Sequence, residues 1–426
     1  MRVLILGGGG REHALAWRLS RESDVSEILS APGNPGLAEI GRCLPVDLLD
    51  PDAVLALAAG ERVDLTIVGP EAPLEKGVAD RFRDAGQAIV GPGARGAALE
   101  CSKSWAKQFM ARHGIPTARF EDCGSLDRAL EVVRRGTFGL PVVIKADGLA
   151  GGKGVTIAET AADAEAAVRE AMEARRFGAA GSRLVIEECL TGPEVSFFVL
   201  IDGEQALALG SAQDHKRIFD DDRGPNTGGM GAFAPSPLMT PELTVEVMRT
   251  VVGPVIHGMR REGEPYRGFL YVSLMLTTGG PRVIEFNVRF GDPEAQVVLP
   301  SLEGRLAQVL LASSTGQLGG HVVSPSASRC VGVVLAAAGY PARPATGQVI
   351  AGVARASDRE GVTVFHAGTT MGERGLVVAG GRVLTVVGAA STWEQAIARA
   401  YEGVGDISFD GMQFRRDIGR KALAAG

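Results

Sequence analysis

Three short stretches of the chain concentrate the residue types that phosphoryl and acyl chemistry needs. The first, IKADGLAGGKG at 144–154, sets Lys145 at the end of an apolar run and Lys153 in a loop of glycines. Small residues let backbone amides approach a polyphosphate, and an ammonium in an apolar strand requires an anion beside it. This is not a Walker A loop, since Gly154 rather than Ser or Thr follows Lys153. A plain surface hairpin is the competing reading, and the charge of Lys145 favours phosphate over it. The second stretch, VIEFNVRFGDPE at 283–294, alternates apolar and polar residues, so Glu285, Asn287 and Arg289 fall on one face of a strand. Carboxylate and amide oxygens suit Mg²⁺, which takes its remaining ligands from water and substrate phosphates, and an arginine there stabilises charge developing in a transferred group. A salt-bridged solvent face is the plainer alternative; the lysines upstream tip the balance to a metal. The third is the polar, glycine-rich pair SAQDHKR (211–217) and GPNTGGMGAF (224–233), in which His215 by itself reads as a structural histidine.

A fourth glycine cluster closes the opening run RVLILGGGG. Tested as GxGxxG from Gly7 it puts Glu12 at the third glycine, and from Gly8 it puts His13 there; Ser30 and Ala31 end the second strand where an acidic residue would hold a ribose hydroxyl. A nicotinamide oxidoreductase is therefore opposed. A phosphate at the following helix N-terminus and a tight packing turn remain equal readings of this loop.

The elements that must position these residues follow from periodicity. Strand patterns at 2–6, 27–30, 64–68 and 87–90 alternate with helical ones at 51–59 and 75–85, which predicts a doubly wound parallel sheet with glycine- or proline-bearing loops along its carboxyl edge. A helix is predicted near 102–112, then two strands around the glycine-rich turn, a helix at 160–175 and the strand RLVIEE. Hairpins are expected at Asp202-Gly203 and around TTGG at 277–280. From 329 onward, three strand patterns and a helix near 392–402 suggest a further small α+β unit.

Composition bounds the function classes. The 426 residues carry 44 basic and 50 acidic side chains, a net charge of −6 that provides no global field for nucleic acid or an anionic membrane. Five scattered cysteines, 43, 101, 123, 189 and 330, lack CxxC spacing and fit a reducing cytosol, and no stretch nears the ~20 apolar residues of a membrane span. Of the seven lysines, five lie between 103 and 216, marking where an ammonium rather than a guanidinium is needed.

The motifs GGREHALAW, APGNPG, DLTIVGPEAPL, IKADGLAGGKGV, QDHKR, GPNTGGMGA, GFLY, IEFNVRFGDPE, VFHAGT and RRDIG together resemble the glycinamide ribonucleotide synthetase family of ATP-grasp ligases along essentially the whole chain. The resemblance implies a multidomain α/β and α+β chain with an ATP-grasp fold. It divides into an N-terminal doubly wound substrate domain (1–101), an ATP-grasp core (102–120 and 189–325), a small flap domain (121–188) and a small α+β C-terminal domain (326–426). It implies joining of glycine to 5-phosphoribosylamine with ATP, through a glycyl phosphate, in purine biosynthesis, with Mg²⁺ or Mn²⁺, by a cytoplasmic monomer without nucleic-acid or membrane partners.

By the same resemblance, Lys103 and Lys145 are phosphate lysines and Gly151, Gly152, Lys153 and Gly154 a closing flap. Glu187, Glu188 and Leu190 are the adenine hinge and Glu194 the ribose contact. Glu285 and Asn287 are metal ligands, and Arg289 and Asp214 face glycine and the acyl phosphate. Gly9, Gly10, Arg11, Asn34, Glu71, Lys216, Gly229 and Met230 contact substrate. Two departures stand out: Gly8 replaces the polar residue of many relatives, and Ser273 stands where many ATP-grasp enzymes place a further acidic metal ligand, so a second metal leans on substrate phosphates. A formate-using or carboxylating purine ligase, differing in the acceptor loops, is the neighbouring alternative. A non-catalytic ATP-binding regulator is opposed by the presence of Glu285, Asn287 and Arg289.

Overall fold

Short apolar runs separated by glycine loops build the first sheet of the computed structural model, which describes residues 1–148 and 154–424. Its five strands are all parallel, in the order Arg42–Cys43, Glu27–Pro32, Arg2–Gly7, Leu65–Val68, Ile89–Val90. The central strand is buried on both faces, as helix-covered parallel sheets require. Two expectations are corrected. The helix anticipated at 75–85 is two pieces, Ala72–Glu75 and Val78–Asp84, because Gly77 between them takes a left-handed φ of +81° that ends one helix and starts the other. The strand anticipated at 87–90 pairs only over Ile89–Val90.

The second sheet is antiparallel, in the order Phe120–Cys123, Leu184–Glu188, Val142–Ala146, Val155–Ala158. It is covered by the helices Leu126–Arg134 and Ala161–Met172, whose Leu130, Val133, Ala164 and Val168 share a core with Ile144 and Ile186. The third sheet has eight antiparallel strands, in the order Gly280–Asn287, Arg267–Thr277, Glu194–Asp202, Ala206–Asp214, Gly231–Ala234, Arg329–Ala336, Arg382–Ala390, Val362–His366. Its first hairpin turns at Asp202, whose side chain accepts from the amides of Glu204 and Gln205 at 2.9 and 2.7 Å. The C-terminal strands continue this sheet, because Arg329–Ala336 pairs with Gly231–Ala234 and is apolar on both faces: Cys330 enters one core, Val331, Val333 and Leu335 another.

Two contacts lock the C-terminal segment onto the rest. In the first, the His366 amide donates to His13 Nδ1 at 2.8 Å, and Asn34 Nδ2 donates to the carbonyls of His366 and Gly8, both at 2.9 Å. In the second, the buried Arg415 forks onto Asp417 at 2.8 and 2.6 Å and donates to Asp222 at 2.8 Å and to the Arg217 carbonyl at 3.1 Å. The anchored turn holds Asp221 and Asp222 at φ +57° and +52°, a strained conformation for non-glycine residues that these contacts compensate. The closing RRDIG stretch thus fixes the hairpin that follows Lys216.

Burial, with the charge of His366 behind it, pulls the His13 pKa down to about 3, and burial pulls His366 down to about 4. Both lie below the unfolded value of about 6.5, so their contribution to stability is complete above that pH and is lost as pH falls and the unfolded chain takes up protons. His13 alone is expected to contribute a slope of about 1.4 kcal/mol per pH unit below 6.5. Denaturant unfolding at pH 7, 6 and 5 should show His13→Asn, which keeps an acceptor for the His366 amide, with a flatter slope than the parent; equal slopes would contradict this account.

Candidate active site

Strand alternation puts Glu285 and Asn287 on one face of Gly280–Asn287, in register opposite Ser273 and Tyr271. Ser273 is buried, so the position facing Glu285 offers a hydroxyl and no second carboxylate. Among the described residues no three His, Cys, Asp or Glu side chains form a metal cage. The donor set of one carboxylate and one amide oxygen nevertheless fits a hard divalent cation that draws most of its ligands from phosphate and water. Burial would raise the Glu285 pKa, but Lys216, Lys103, Lys145 and Arg289 together hold it below the usual range. Four cations drawn from separate parts of the chain thus lie near enough to act on one carboxylate.

Arg289, just beyond the strand, is fixed from three sides. Its guanidinium donates to Glu100 at 2.7 Å, to Asn287 Oδ1 at 3.1 Å and to Glu71 at 3.3 Å. The second Glu100 oxygen accepts from the Val288 amide at 2.8 Å. Burial works against the charge of Arg289, yet Glu100 and Glu71 raise its pKa above the ordinary value. Asp214 and Lys216 come from the end of Ala206–Asp214 and the residues after it, with Lys216 donating to the exposed Glu194 at 2.8 Å. The Asp214 carboxyl is raised by burial and by Glu294 and Glu194 against the pull of Lys216. Behind them the Tyr271 hydroxyl lies between Ser196 at 2.8 Å and Glu294 at 3.0 Å.

The anion that Lys145 requires is already in the protein. Lys145 and Lys107, both buried, pair with the two oxygens of Glu187. The Glu187 carboxylate therefore faces two ammonium groups inside, while Glu188 faces Arg119 at 2.7 Å and Arg282 at 3.4 Å and the half-buried Leu190 follows. Lys103 opens the helix Lys103–Arg112 and makes no ion pair among the described residues. Gly151, Gly152 and Lys153 lie outside the described residues; Gly154, next to them, accepts from the Ala146 amide at 2.8 Å.

The N-terminal loop meets this region through Arg11, which donates to the Phe290 carbonyl at 2.9 Å. Gly8 is demanded by packing, since a Cβ there would stand 2.4 Å from the Gly33 carbonyl, and one at Gly10 would stand 2.4 Å from the Gln296 amide. Gly9 donates to Glu12 at 2.6 Å and lies beside Asp292. The side chain of Asn34 is fully engaged within the protein, its oxygen capping the next helix at the Leu37 amide. Arg382 ties Asp292 to the glycine-rich stretch, donating to the carbonyls of Asp292 and Gly228, both at 2.6 Å. Gly229 holds φ +113° with Pro293 against it, and the Met230 side chain is buried with Ile218 and Ala336.

Sequence reasoning passed over Glu100, Tyr271, Glu294, Asp292, Arg382 and Lys107. Asp292 and Glu294 sat in the FGDPE run, and Lys107 in the lysine cluster, so a signal existed for these three. Glu100 is a lone acidic residue on a helix, and nothing local marks it. The assembled geometry suits binding a polyanion with a hard cation and activating a carboxylate beside Arg289.

Comparison with known proteins shows the family of the chain. Family models described as phosphoribosylglycinamide synthetase match in order: the N domain over residues 1–100, the ATP-grasp (A) domain over 101–295 and the C domain over 330–421. The chain is 49% identical over 428 residues to the phosphoribosylamine–glycine ligase of Xanthomonas axonopodis pv. citri, covering 100% of this chain and 98% of that one. It is 50% identical over 429 residues to the ligase of that name from Chlorobaculum tepidum, covering 99% of this chain and 100% of that one. The crystal structure of the Thermotoga maritima phosphoribosylamine–glycine ligase superposes with a TM-score of 0.86 at 34% identity, covering 98% of this chain and 100% of that one. A biotin carboxylase from Campylobacter jejuni shares the fold alone, with a TM-score of 0.72 at 16% identity over 99% of this chain and 95% of that one.

Removing Glu100 is expected to leave the Arg289 charge half-paired and the Val288 amide without its acceptor. Glu100→Ala should cost about 3–5 kcal/mol of stability by denaturant unfolding. A loss below about 1 kcal/mol, the range of exposed pairs, would show the contact to be dispensable.

Proposed function

The chain belongs to the phosphoribosylglycinamide synthetase family, and from that membership we infer that it is a phosphoribosylamine–glycine ligase with an ATP-grasp fold. It joins glycine to 5-phosphoribosylamine using ATP and forms glycinamide ribonucleotide, ADP and phosphate, a step of purine biosynthesis. The observation that carries the reading beyond the family name is the gathering of Lys103, Lys145, Lys216 and Arg289 around Glu285.

We read the roles as follows. Lys103 and Lys145 receive the phosphates of ATP, and Gly151, Gly152, Lys153 and Gly154 are assigned to ATP binding from the family resemblance alone; Glu187, Glu188 and Leu190 form the adenine hinge, and Glu194 meets the ribose. Glu285 and Asn287 would hold Mg²⁺ or Mn²⁺, which when bound offsets phosphate charge. Arg289 orients the glycine carboxylate and Asp214 its ammonium. A carboxylate oxygen attacks the γ-phosphorus and ADP leaves, giving glycyl phosphate. The amine of phosphoribosylamine, held by Gly9, Gly10, Arg11, Glu71, Lys216, Gly229 and Met230, attacks the carbonyl carbon; phosphate leaves and the nitrogen loses a proton. At Asn34 the contact falls to the backbone, since the side chain is engaged. Excluding water matters because an acyl phosphate hydrolyses readily.

The same reading takes the chain as four parts, 1–101, 102–120 with 189–325, 121–188 and 326–426, working as a cytoplasmic monomer on small molecules. No helix of the described residues is long and apolar enough to cross a membrane.

The test is ADP release with ATP and Mg²⁺ in the presence of glycine alone, phosphoribosylamine generated in situ alone, and both together. Release that needs both, with glycinamide ribonucleotide formed, is the expected result. Release driven by a different carboxylate, or none with both present, would overturn the assignment.

A further inference from the structure

Lys107 has no place in the site as described, yet it is built into its centre. The sheet ladder sets Lys145 opposite Val185 and Glu187 opposite Val143, so these two side chains are diagonal neighbours on one face. Lys107 reaches the same carboxylate from outside that sheet, on the helix Lys103–Arg112, one turn beyond Lys103 and on the same helix face. Its ammonium also donates to Thr117 Oγ1 at 2.7 Å, and that hydroxyl donates at 2.6 Å to the Val283 carbonyl, on the strand that carries Glu285. Lys145 donates to the next carbonyl, that of Ile284, at 3.3 Å. Lys107, Lys145 and Glu187 are 2%, 3% and 3% exposed, so the three charges are screened from water together.

Two ammonium groups against one carboxylate leave the triad a net charge of +1 in a buried place; Glu285 offsets it until a cation takes that carboxylate, and the triad then calls for an external anion. Without Lys107 the same carboxylate would neutralise Lys145 completely. We propose that Lys107 is a positioning residue for nucleotide binding: by occupying one oxygen of Glu187 it keeps the charge of Lys145 available to the phosphates. The inference rests on the reading of Lys145 as a phosphate ligand. The groups facing Lys107 are Glu187, Lys145 and Glu285; burial and Lys145 lower its pKa and the two carboxylates raise it, leaving it at about 8 and hence charged at neutral pH.

Charge arithmetic supplies the test. The triad carries +1 in the parent and 0 in Lys107→Met, whereas with Glu187→Gln in place Lys145 keeps its charge whether or not Lys107 is present. Calorimetric titration of full-length enzyme with Mg²⁺ and ADP at pH 7, with thermal unfolding to confirm that each variant is folded, should show Lys107→Met weakening ADP by about tenfold or more. With Glu187→Gln as the reference, so that any loss at the adenine hinge is common to both proteins, adding Lys107→Met should change ADP affinity by less than about threefold. A residue that serves only stability would lower the melting temperature of Lys107→Met and leave ADP affinity unchanged, and that result overturns the proposal. So does an equal weakening of ADP by Lys107→Met in the Glu187→Gln background. Lys145→Met separates the two levels: if it binds ADP as tightly as the parent, the phosphate reading of Lys145 falls and the inference falls with it, whereas weakening there without weakening in Lys107→Met overturns the inference alone.

Discussion

A partly buried guanidinium, its side chain 17% exposed, sets the terms for the rest of this molecule. Arg289 is paired and oriented by Glu100 and Glu71, which come to it from the N-terminal region at 2.7 and 3.3 Å. Neither carboxylate lies on the sheet that positions Arg289, so the site is complete only when the parallel sheet is docked against the eight-stranded one. A buried charge that loses its partner costs several kcal/mol, and the pairing therefore enforces docking as well as orienting the arginine. The same logic repeats at Arg415, whose carboxylate partners tie the end of the chain to the turn after Lys216.

The cleft follows a single electrostatic design. Lys216, Lys103, Lys145 and Arg289 all act on Glu285, and Lys145 is itself shared with Lys107 on the Glu187 carboxylate. On the proposed function, a nucleotide triphosphate with a divalent cation would balance this field, and exclusion of water would protect the acyl phosphate. Tyr271, pinned between Ser196 and Glu294, and Arg382, pinned to Asp292, hold the acidic side of the site in place.

Much of the fold was legible in the sequence because its elements obey local rules. Alternating apolar runs and glycine loops announced the parallel sheet, and the alternation of VIEFNVR placed Glu285, Asn287 and Arg289 together. The requirement that Lys145 have an anion was also legible, though not that Glu187 supplies it, because that pairing depends on sheet register. Long-range partners were invisible for the same reason: Glu100 meets Arg289 across 189 residues and His13 meets His366 across 353. The joining of C-terminal strands to the central sheet could not be read either, since a strand that is apolar on both faces does not say which edge it will pair with. Gly8, a departure at the level of motif, is explained by the approach of the Gly33 carbonyl.

The central claim is that the carboxylate of glycine is activated by phosphorylation inside this charged cleft before the amine attacks. Turnover of glycine labelled with ¹⁸O in both carboxyl oxygens tests it directly, with the released inorganic phosphate analysed by mass spectrometry. The account predicts one ¹⁸O in each phosphate and one retained in the amide carbonyl of the product. Unlabelled phosphate accompanying full product formation would contradict it.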